Sequence, residues 1–402
     1  MTKIAILGFG VVGGGVADLI TNNQPEVSSL GGDEVSIKYI LDLRDFPDSP
    51  FADKVVHDYN IILSDPEIDC VIEAMGGSHP AYEYTVSALK AGKSVITSNK
   101  EVVSKFGDEF LALAKENGCC YRFEAAVGGG IPVISPMINC IGHNKVREIR
   151  GILNGTTNYI LTKMFTYGDS FADSLKDAQD KGYAERNPDA DVLGIDACRK
   201  ITILTALATG KLLSTENIHT EGITEIRKAD VVNAEKMGLT IKLLGRCIIG
   251  DDGMQVMVAP FMISSASPLS SVSGVYNAVE VVADPLGNVM FYGQGAGAGA
   301  TASAIVGDLM QVMRSGVHYA EPVFTKSNEG LMAFDSFASK HYVAMSSVDV
   351  QLIKSCFDGA EIISLGDEVA VVTPSMSEMD VLACIKNAED KGAHLESRIR
   401  LL

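Results

Sequence analysis

The amino-terminal run constrains the fold of this chain more strongly than any other stretch. KIAILGFG at 3–10 is a short apolar strand pattern that leads through glycines into the helical pattern VVGGGVADLI. Three glycines have GxGxxG spacing, which permits a tight turn, close backbone approach to a pyrophosphate, and close helix–strand packing. Backbone N–H groups at such a helix start suit a phosphate. We assign this loop to Gly8, Phe9, Gly10, Val11, Val12 and Gly13. The pattern predicts an α/β domain that binds a dinucleotide, with a glycine-rich structural turn as the alternative.

Composition and charge exclude several classes of function. With 402 residues, 47% of them hydrophobic, the chain can bury cores for two or three domains. Its 51 acidic and 33 basic residues give a formal charge of −18, which excludes nucleic acid and anionic membranes as partners. No uncharged apolar run is long enough for a membrane span, and no secretory pattern begins the sequence. Eight scattered cysteines without a CxxC pair indicate neither disulfides nor a zinc site, so we expect a cytoplasmic protein.

The second predicted strand, VSIKYILDL at 35–43, bears on the choice of cofactor. It ends among Asp42, Arg44 and Asp45. An acidic residue at this strand end binds the ribose hydroxyls of NAD, whereas an arginine accommodates the 2′-phosphate of NADP. Both residue types are present, so the preference stays open. Arg44 favours NADP, and a surface ion pair is the alternative interpretation.

Two further strand patterns end in polar or glycine residues. They are CVIEAMGG at 70–77 and the VIT of SVITSNK, which is followed by Ser98, Asn99 and Lys100. Ligands of doubly wound sheets bind at the carboxyl ends of the strands. We therefore expect Met75, Gly76, Ser98 and Lys100 beside the nicotinamide end of the cofactor, although Lys100 could be an idle surface lysine. A fifth strand, CCYRFEAAV at 119–127, follows.

The middle of the chain changes pattern and offers a carboxylate site. KVREIRGILN at 145–154 is a strand pattern, and a helix follows it with Thr156 or Thr157 as its N-cap. Unpaired N–H groups at a helix start suit a carboxylate. An ordinary capped helix is the alternative.

The segment GYAERNPDADVLGIDACRK at 182–200 places four carboxylates close to one amine. Asp196 and Lys200 are four residues apart and share one helix face, and the helix continues into the apolar run ITILTALAT. A solvated ion pair is the plain interpretation. However, an amine that enters an apolar helix beside a carboxylate suits a proton donor. Glu185 and Asp191 could bind a substrate ammonium, which together with the helix start predicts a pocket for an amino acid zwitterion.

These motifs together resemble one enzyme family, homoserine dehydrogenase. The resemblance is carried by GFGVVGGGV, VIEAMGG, SNK, EAAVGGGIPVI, GILNGTTNYILTKM, GYAE…P.AD..GIDACRK, EGI, IKLLG and GQGAGAGATASA. It implies NAD(P)-linked interconversion of L-homoserine and L-aspartate 4-semialdehyde, in the branch that leads to threonine, methionine and isoleucine. An aldehyde-bearing amino acid fits the predicted zwitterion pocket.

The resemblance also implies roles for individual residues. Lys200 corresponds to the catalytic lysine, Lys100 to a second one, and Asp196 to a carboxylate that positions substrate. Glu185 corresponds to the residue that binds the substrate amine. The rest of the substrate site maps to Asn154, Gly155, Thr156, Tyr183 and Asp191. Asn187 stands where the family pattern has an aspartate, which removes any role given to that carboxylate.

Two further sites are implied by the resemblance. A monovalent cation, sodium in the usual assignment, maps to Glu124, Val127, Gly129 and Ile131. Carbonyl oxygens with one carboxylate suit a hard cation. Gly295 and Gly297 map to a segment that returns to the cofactor edge.

The carboxyl-terminal segment shows a strand, helix, strand, strand, helix, strand pattern, which fits a ferredoxin-like unit. It resembles the ACT regulatory domain of many homoserine dehydrogenases but lacks the glycine expected at the first strand–helix turn. An effector site and a purely structural or dimer-forming module both stay open.

The whole chain is predicted to be an α/β protein of three parts. These are a Rossmann domain at 1–130, a mixed α+β catalytic and dimerisation domain at 131–320, whose 290–320 segment returns to the cofactor, and an ACT-like domain at 338–402. We expect a homodimer or homotetramer. A dinucleotide-sensing regulator without catalysis and a dehydrogenase for other amino or hydroxy acids are the rival functions.

Overall fold

A computed structural model describes residues 1–314, 321–365 and 368–402. The last six residues of the predicted 131–320 domain, and 366–367 within the predicted 338–402 domain, lie outside these ranges. The chain forms two compact units: unit 1 comprises Met1–Val146, Thr202–Asn217 and Val282–Asn328, and unit 2 comprises Arg147–Ile201, Ile218–Val281 and Glu329–Leu402. The predicted domains are continuous in sequence, whereas each unit is built from three segments. The division into two units does not test the predicted domain bounds 1–130, 131–320 and 338–402, which stay predictions.

The secondary structure alternates strands and helices along most of the chain. The strands are β1 (Thr2–Leu7), β2 (Val35–Leu41), β3 (Val55–Val56), β4 (Cys70–Glu73), β5 (Ser94–Thr97), β6 (Tyr121–Arg122), β7 (Lys145–Ile152), β8 (Lys211–Leu212), β9 (His219–Thr220), β10 (Leu239–Ile249), β11 (Met254–Ser264), β12 (Tyr276–Asp284), β13 (Gly287–Gln294), β14 (Thr325–Lys326), β15 (Ala338–Ser346), β16 (Glu361–Leu365), β17 (Glu368–Val372), β18 (Met376–Ser377) and β19 (His394–Leu401). The helices are α1 (Val11–Asn22), α2 (Gln24–Gly31), α3 (Tyr59–Ser64), α4 (Ala81–Lys90), α5 (Lys100–Glu116), α6 (Ile134–Pro136), α7 (Gly155–Tyr167), α8 (Phe171–Asp180), α9 (Asp189–Val192), α10 (Ile195–Thr209), α11 (Lys228–Lys236), α12 (Ala298–Met313), α13 (Val350–Cys356) and α14 (Glu378–Glu389). None of the helices in the described ranges is long and apolar enough to cross a membrane.

Unit 1 contains a parallel sheet with the order β3-β2-β1-β4-β5-β6. β2 and β3 lie on one side of β1, and β4, β5 and β6 lie on its other side. The carboxyl ends of β1 and β4 therefore flank a topological switch point, where dinucleotides bind in sheets of this kind. This arrangement confirms the predicted parallel-sheet, Rossmann-like domain.

A helix from far along the chain completes the core of unit 1. Ala302, Ile305 and Leu309 on α12 are fully buried and pack in one cluster with Val16 and Ile20 of α1. These apolar positions are three or four residues apart on each helix, so each helix presents one buried stripe to the other. Residues near 300 thus lie in the same unit as the predicted cofactor loop.

Unit 2 contains a mixed sheet with the order β12-β7-β10-β11-β19-β15-β17-β16. The long hairpin of β10 and β11 is antiparallel, and β10 also pairs antiparallel with β7. The sequence predicts β7 and the helix after it, and both are present. The mixed sheet places the start of α7 directly after the end of β7.

The carboxyl-terminal segment has the predicted order of elements, with the short strand β18 in addition before α14, and joins the sheet of unit 2. β19 pairs in parallel with β11, with Phe261 opposite Arg400 and Met262 opposite Leu401. Arg400 is 1% exposed, and its guanidinium donates to Glu221 at 2.7 and 2.9 Å and also to Glu378. Residues 338–402 are predicted to form a domain of their own, whereas their strands extend the sheet that contains β7.

The predicted fifth strand at 119–127 is wrong in its length. Only Tyr121–Arg122 pairs with β5, and Glu124–Ala126 forms a 3₁₀ turn. The turn is stabilised from outside the strand, because the Glu124 N–H donates to the Asp308 carboxylate at 2.8 Å. Such a long-range contact overrides the local strand pattern.

A buried histidine in unit 2 makes stability depend on pH. His341 on β15 is 0% exposed, and burial lowers its pKa to about 4, although the nearby Glu378 carboxylate opposes this shift. The unfolded chain binds a proton on this histidine below about pH 6.5, whereas the folded chain does so only near about pH 4. Stability is therefore lost as the pH falls through that interval.

We predict that His341→Gln reduces this acid-induced loss, because the variant has no imidazole to protonate in the unfolded chain. The difference in melting temperature between about pH 7.5 and about pH 5 should be smaller than in the wild type. The matched control is His394→Gln, at an exposed position on β19. An unchanged pH dependence in the His341 variant would contradict the prediction.

Candidate active site

The predicted catalytic lysine lies in a buried polar cluster of unit 2. The Lys200 ammonium donates to the Asp196 carboxylate at 2.7 Å and to the Leu153 carbonyl oxygen at 2.7 Å. Lys200 is 7% exposed and Asp196 5% exposed. The alternative of a solvated surface ion pair is therefore wrong for this lysine.

Asn154 connects this ion pair to the start of α7. Its amide nitrogen donates to Asp191 at 2.7 Å and to Asp196 at 2.9 Å. Its amide oxygen accepts the Thr157 N–H at 2.9 Å, so Asn154 is the N-cap of α7. The predicted caps, Thr156 and Thr157, are wrong by two or three positions, because asparagine also caps helices well and stands just before the first helical residue.

The helix that carries Lys200 begins and ends where the sequence predicts. α10 spans Ile195–Thr209, the same residues as the predicted IDACRKITILTALAT. Gly194 precedes it with a φ of +81°, a backbone conformation that suits glycine. Because Asp196 and Lys200 are four residues apart, they lie on one face of α10, toward Leu153 and Asn154.

The other predicted substrate residues lie around the same segments. The Thr156 hydroxyl donates to the Tyr183 carbonyl oxygen at 2.6 Å, which ties the start of α7 to the loop after α8. Tyr183 is 44% exposed, and Glu185 is exposed in the same loop. A Cβ atom on Gly155 would lie 2.7 Å from the Val275 carbonyl oxygen, so this position is confined by packing. Asn154, Asp191, Asp196 and Lys200 are thus joined by direct hydrogen bonds, with Thr156 and Tyr183 beside them.

The glycine loop of unit 1 has the geometry expected of a phosphate cradle. Gly8 has a φ of +89°, and a Cβ atom on Gly13 would lie 2.0 Å from the Gly8 carbonyl oxygen. Gly10 is the N-cap of α1, and a Cβ atom there would meet nothing within 4 Å. The space beside Gly10 is therefore open, Val11 is 76% exposed, and the first-turn N–H groups have no partner within the helix. These observations fit a dinucleotide pyrophosphate.

Asp42, which follows β2, holds both the glycine loop and Arg44. The Phe9 N–H donates to Asp42 at 2.8 Å, and the Arg44 guanidinium donates to both carboxylate oxygens at 3.0 Å. The arginine lowers the pKa of Asp42 well below its usual range. The Phe9 ring packs edge-on against Phe46 and Phe51, so both its side chain and its N–H are engaged within the protein. The ion pair of Arg44 with Asp42, which is the alternative interpretation of this arginine, is present.

Met75, Gly76, Ser98 and Lys100 follow β4 and β5 at the carboxyl edge of the parallel sheet. Lys100 is the first residue of α5, is half-buried, and belongs to unit 1. Asn99 caps α5, because its side-chain oxygen accepts the N–H groups of Glu101 and Val102. The edge also contains a buried carboxylate, Glu73, which is not among the predicted site residues. An acidic residue at the end of the apolar run CVI is the signal that could have found it.

The predicted cation segment is only partly available for a cation. The Glu124 carboxylate accepts three backbone N–H groups, from Val133 at 2.6 Å, Ile134 at 2.8 Å and Ser135 at 2.7 Å. Burial raises its pKa and these three N–H groups oppose the shift. These three N–H groups occupy most of the roughly four acceptor positions of the carboxylate, and its assignment as a cation ligand stays a prediction.

The carbonyl groups of this segment do fit a hard cation. Val127, Gly129 and Ile131 are buried, and in the described ranges their carbonyl oxygens accept no hydrogen bond. Buried carbonyl oxygens normally have a partner. Among the described residues there is no group of three His, Cys, Asp or Glu side chains that could hold a metal ion. Three carbonyl oxygens are the donors that a monovalent cation would find here.

The glycine-rich segment at 293–299 packs against the turn at 128–130 and against α1. A Cβ atom on Gly129 would lie 2.5 Å from the Gly295 carbonyl, and one on Gly15 would lie 3.2 Å from the Ala298 carbonyl oxygen. Gly297 has a φ of +116° and is the N-cap of α12. Gly295 and Gly297 therefore lie in unit 1 with the phosphate loop, beside α1.

Comparisons with known proteins agree with one another. The sequence profile of the family described as homoserine dehydrogenase matches residues 132–310, and the profile described as its NAD binding domain matches residues 8–124. The chain is 39% identical to a homoserine dehydrogenase of Synechocystis over 355 residues, 86% of this chain and 80% of the relative. It is 38% identical to that of Bacillus subtilis over 320 residues, 78% of this chain and 73% of the relative.

Solved structures give the same result. A homoserine dehydrogenase from Thiobacillus denitrificans is similar with a TM-score of 0.90 and 33% identity, covering 100% of this chain and 98% of that one. A hyperthermophilic archaeal homoserine dehydrogenase mutant, in complex with NADPH, is similar with a TM-score of 0.67 and 28% identity, covering 80% of this chain and 99% of that one.

We predict that the two functions of Asn154 can be separated by substitution. Asn154→Ala should lower the free energy of unfolding by about 1–2 kcal/mol, because α7 loses its cap. Asn154→Ser keeps a cap but loses the amide between Asp191 and Asp196, so stability should largely recover while kcat/KM stays about 10-fold low or lower. Chemical denaturation and steady-state kinetics measure the two effects.

The control is Ser170→Ala, which removes the cap of α8, where the serine hydroxyl accepts the Asp173 N–H at 3.1 Å. That variant should lose stability and keep its turnover. A serine variant at position 154 with full activity would contradict the assignment of the amide.

Proposed function

The chain belongs to the homoserine dehydrogenase family, and from that premise we propose how its residues carry out the reaction. It is an oxidoreductase that acts on a CH–OH group and interconverts L-homoserine and L-aspartate 4-semialdehyde with a nicotinamide cofactor. The enzyme belongs to the biosynthesis of amino acids derived from aspartate. Its activity requires a proton donor, a site for the two charged groups of the substrate and a site for the cofactor.

Lys200 is the proton donor to the reacting oxygen. The observation that carries this assignment is the buried contact of its ammonium with Asp196 and the Leu153 carbonyl oxygen, both at 2.7 Å. An ammonium has three N–H donors, and two such acceptors orient it. In the reducing direction Lys200 polarises the aldehyde oxygen and gives it a proton, and in the oxidising direction it takes that proton back. The nicotinamide cofactor supplies or accepts the hydride.

Asp196 positions this amine, and Lys100 is the second catalytic lysine. Asp196 accepts a hydrogen bond from the ammonium at 2.7 Å and so orients it in a buried setting. Lys100 begins α5 at the carboxyl edge of the parallel sheet, where doubly wound sheets bind their ligands. We assign it to proton transfer during the reaction, directly or through water.

The substrate is recognised through its two charged groups. Glu185 and Asp191 bind the ammonium of homoserine, and the first turn of α7, at Gly155 and Thr156, binds its carboxylate. Asn154 fixes Asp191 by a hydrogen bond at 2.7 Å, and the Thr156 hydroxyl fixes the Tyr183 backbone at 2.6 Å. Because Glu185 and Asp191 bind the substrate ammonium, hydroxy acids that lack an amine should be poor substrates.

NADP is the preferred cofactor in this proposal, and Arg44 selects it. Arginine carries a positive charge after β2 and binds phosphate through a fork of donors. A structurally similar homoserine dehydrogenase is known in complex with NADPH. The phosphate loop of this chain is formed by Gly8, Phe9, Gly10, Val11, Val12 and Gly13, with Met75, Gly76, Ser98, Gly295 and Gly297 at the other contacts.

The protein also binds a monovalent cation and forms an oligomer in this proposal. The carbonyl oxygens of Val127, Gly129 and Ile131 would hold a monovalent cation such as sodium, and Glu124 would brace the turn through its hydrogen bonds. The segment from β15 to β19 is an ACT-like module that extends the sheet of unit 2. We also propose a homodimer or homotetramer in the cytoplasm.

We predict that Lys200→Ala lowers turnover by about 10²–10⁴-fold, the usual contribution of a general acid–base group. Affinity for NADPH should change little, because Lys200 is not among the residues assigned to the cofactor. The measurement follows NADPH absorbance with L-aspartate 4-semialdehyde. The control is Lys176→Ala, whose side chain is 77% exposed and should leave turnover unchanged. Turnover of the Lys200 variant near the wild-type value would exclude its catalytic role.

We predict that Arg44→Ala weakens NADPH binding by about 10- to 100-fold, because a charge-assisted phosphate contact is lost. Binding of NADH should be kept or improved, since Asp42 is released from its partner and can accept ribose hydroxyls. Titration of both cofactors measures the ratio, and Lys90→Ala, at an exposed end of α4, removes the same charge elsewhere. An unaltered NADPH-to-NADH ratio would refute the assignment of Arg44.

A further inference from the structure

A chain of hydrogen bonds runs between the ends of two neighbouring strands of unit 1. Glu73 is the last residue of β4, Thr97 is the last residue of β5, and the two face each other in the parallel ladder. Both are 0% exposed. The Thr97 hydroxyl donates to the Glu73 carboxylate at 2.6 Å. The two strand ends are thus joined by side chains as well as by the sheet.

This chain of bonds continues into both loops that follow the strands. The Met75 N–H donates to the other oxygen of Glu73 at 2.8 Å. The Asn99 N–H donates to the Thr97 hydroxyl oxygen at 2.9 Å, and the Asn99 amide nitrogen donates to the Gly77 carbonyl oxygen at 2.7 Å. The loop after β4 and the turn after β5 are therefore held at a fixed separation by one carboxylate, one hydroxyl and one amide.

The placement of this carboxylate has an energetic cost that packing alone does not explain. Burial raises the pKa of Glu73 to about 7, and the hydrogen bonds from Thr97 and Met75 oppose that shift. Buried carboxylates are rare unless they are paired or hydrogen-bonded. An apolar residue would serve the sheet core equally well. The carboxylate instead connects the two loops, directly through the Met75 N–H and indirectly through Thr97.

We infer that Glu73 is a positioning residue that sets the distance between the Met75–Gly77 loop and the Ser98–Lys100 turn, and so places the nicotinamide end of the cofactor and Lys100. This inference deepens the proposed function and rests on it, because both loops are assigned there to cofactor and catalysis. Glu73 accepts the Met75 N–H directly and reaches Asn99 through Thr97. Asn99 in turn caps α5, whose first residue is Lys100.

The test uses substitutions that remove one bond and keep the shape. Thr97→Val removes the hydroxyl between Glu73 and Asn99, and Glu73→Gln replaces one acceptor oxygen by a donor. Each should weaken NADPH binding by about 10-fold or more and lower kcat by about 10- to 100-fold, because small misplacements of reacting groups carry such costs. The KM for homoserine should stay within about 3-fold of the wild type, because neither substitution changes a residue assigned to its ammonium or its carboxylate. Thr97→Ser keeps the hydroxyl and should recover most of the NADPH affinity.

The matched control is Thr85→Val in α4. Thr85 is 2% exposed, and its hydroxyl has no hydrogen-bond partner within the described ranges, so the substitution removes a buried hydroxyl of the same kind that connects nothing. It should leave NADPH affinity and kcat unchanged. Melting temperatures of all variants separate a loss of folding from a loss of positioning.

Two results would overturn the inference. One is wild-type NADPH affinity and kcat in both Thr97→Val and Glu73→Gln, whatever their melting temperatures. The other is a Thr97→Ser variant as impaired as Thr97→Val. NADPH affinity is measured without turnover, so a wild-type protein that binds NADPH but does not reduce the semialdehyde would refute the proposed function separately.

Discussion

The buried ion pair between Lys200 and Asp196 is the contact on which the site in unit 2 depends. On a helix surface such an i,i+4 pair contributes only about 0.3–0.5 kcal/mol. Here both side chains are nearly inaccessible, and removing either one leaves a buried charge without its partner, which typically costs about 3–5 kcal/mol. The Leu153 carbonyl oxygen also accepts a hydrogen bond from Lys200, and the Asn154 amide also donates one to Asp196. The ion pair therefore holds the end of β7, the start of α7 and α10 in one arrangement.

Unit 1 uses carboxylates in a related way, at the carboxyl ends of parallel strands. Asp42 follows β2 and accepts the N–H of Phe9 in the glycine loop, while Glu73 ends β4 and accepts the N–H of Met75. In both cases an acidic side chain orients the backbone of a loop that the cofactor is proposed to contact. A loop held through its own N–H groups needs little reorganisation when a ligand binds, which is the basis of preorganisation.

Local patterns in the sequence are sufficient for some of these features and insufficient for others. The bounds of α10 agree with its apolar spacing, and the glycine loop agrees with the GxGxxG pattern, because both depend on neighbouring residues. The 3₁₀ turn at Glu124–Ala126 and the engaged Glu124 carboxylate are not predicted, since they depend on Asp308 and on the turn at 133–135. The pairing of β19 with β11 joins residues about 140 positions apart, and periodicity carries no information about such partners. The position of Glu73 after the apolar run CVI is visible in the sequence, but the run does not show which loops its carboxylate binds.

The most direct test of this account is a crystal structure of the wild-type enzyme with NADP and L-homoserine. The account predicts that the Lys200 Nζ lies about 3 Å from the substrate hydroxyl oxygen, still in contact with Asp196, and on the same side as the nicotinamide ring. A structure in which the substrate hydroxyl lies beyond about 6 Å from that amine, with no water between them, would contradict it.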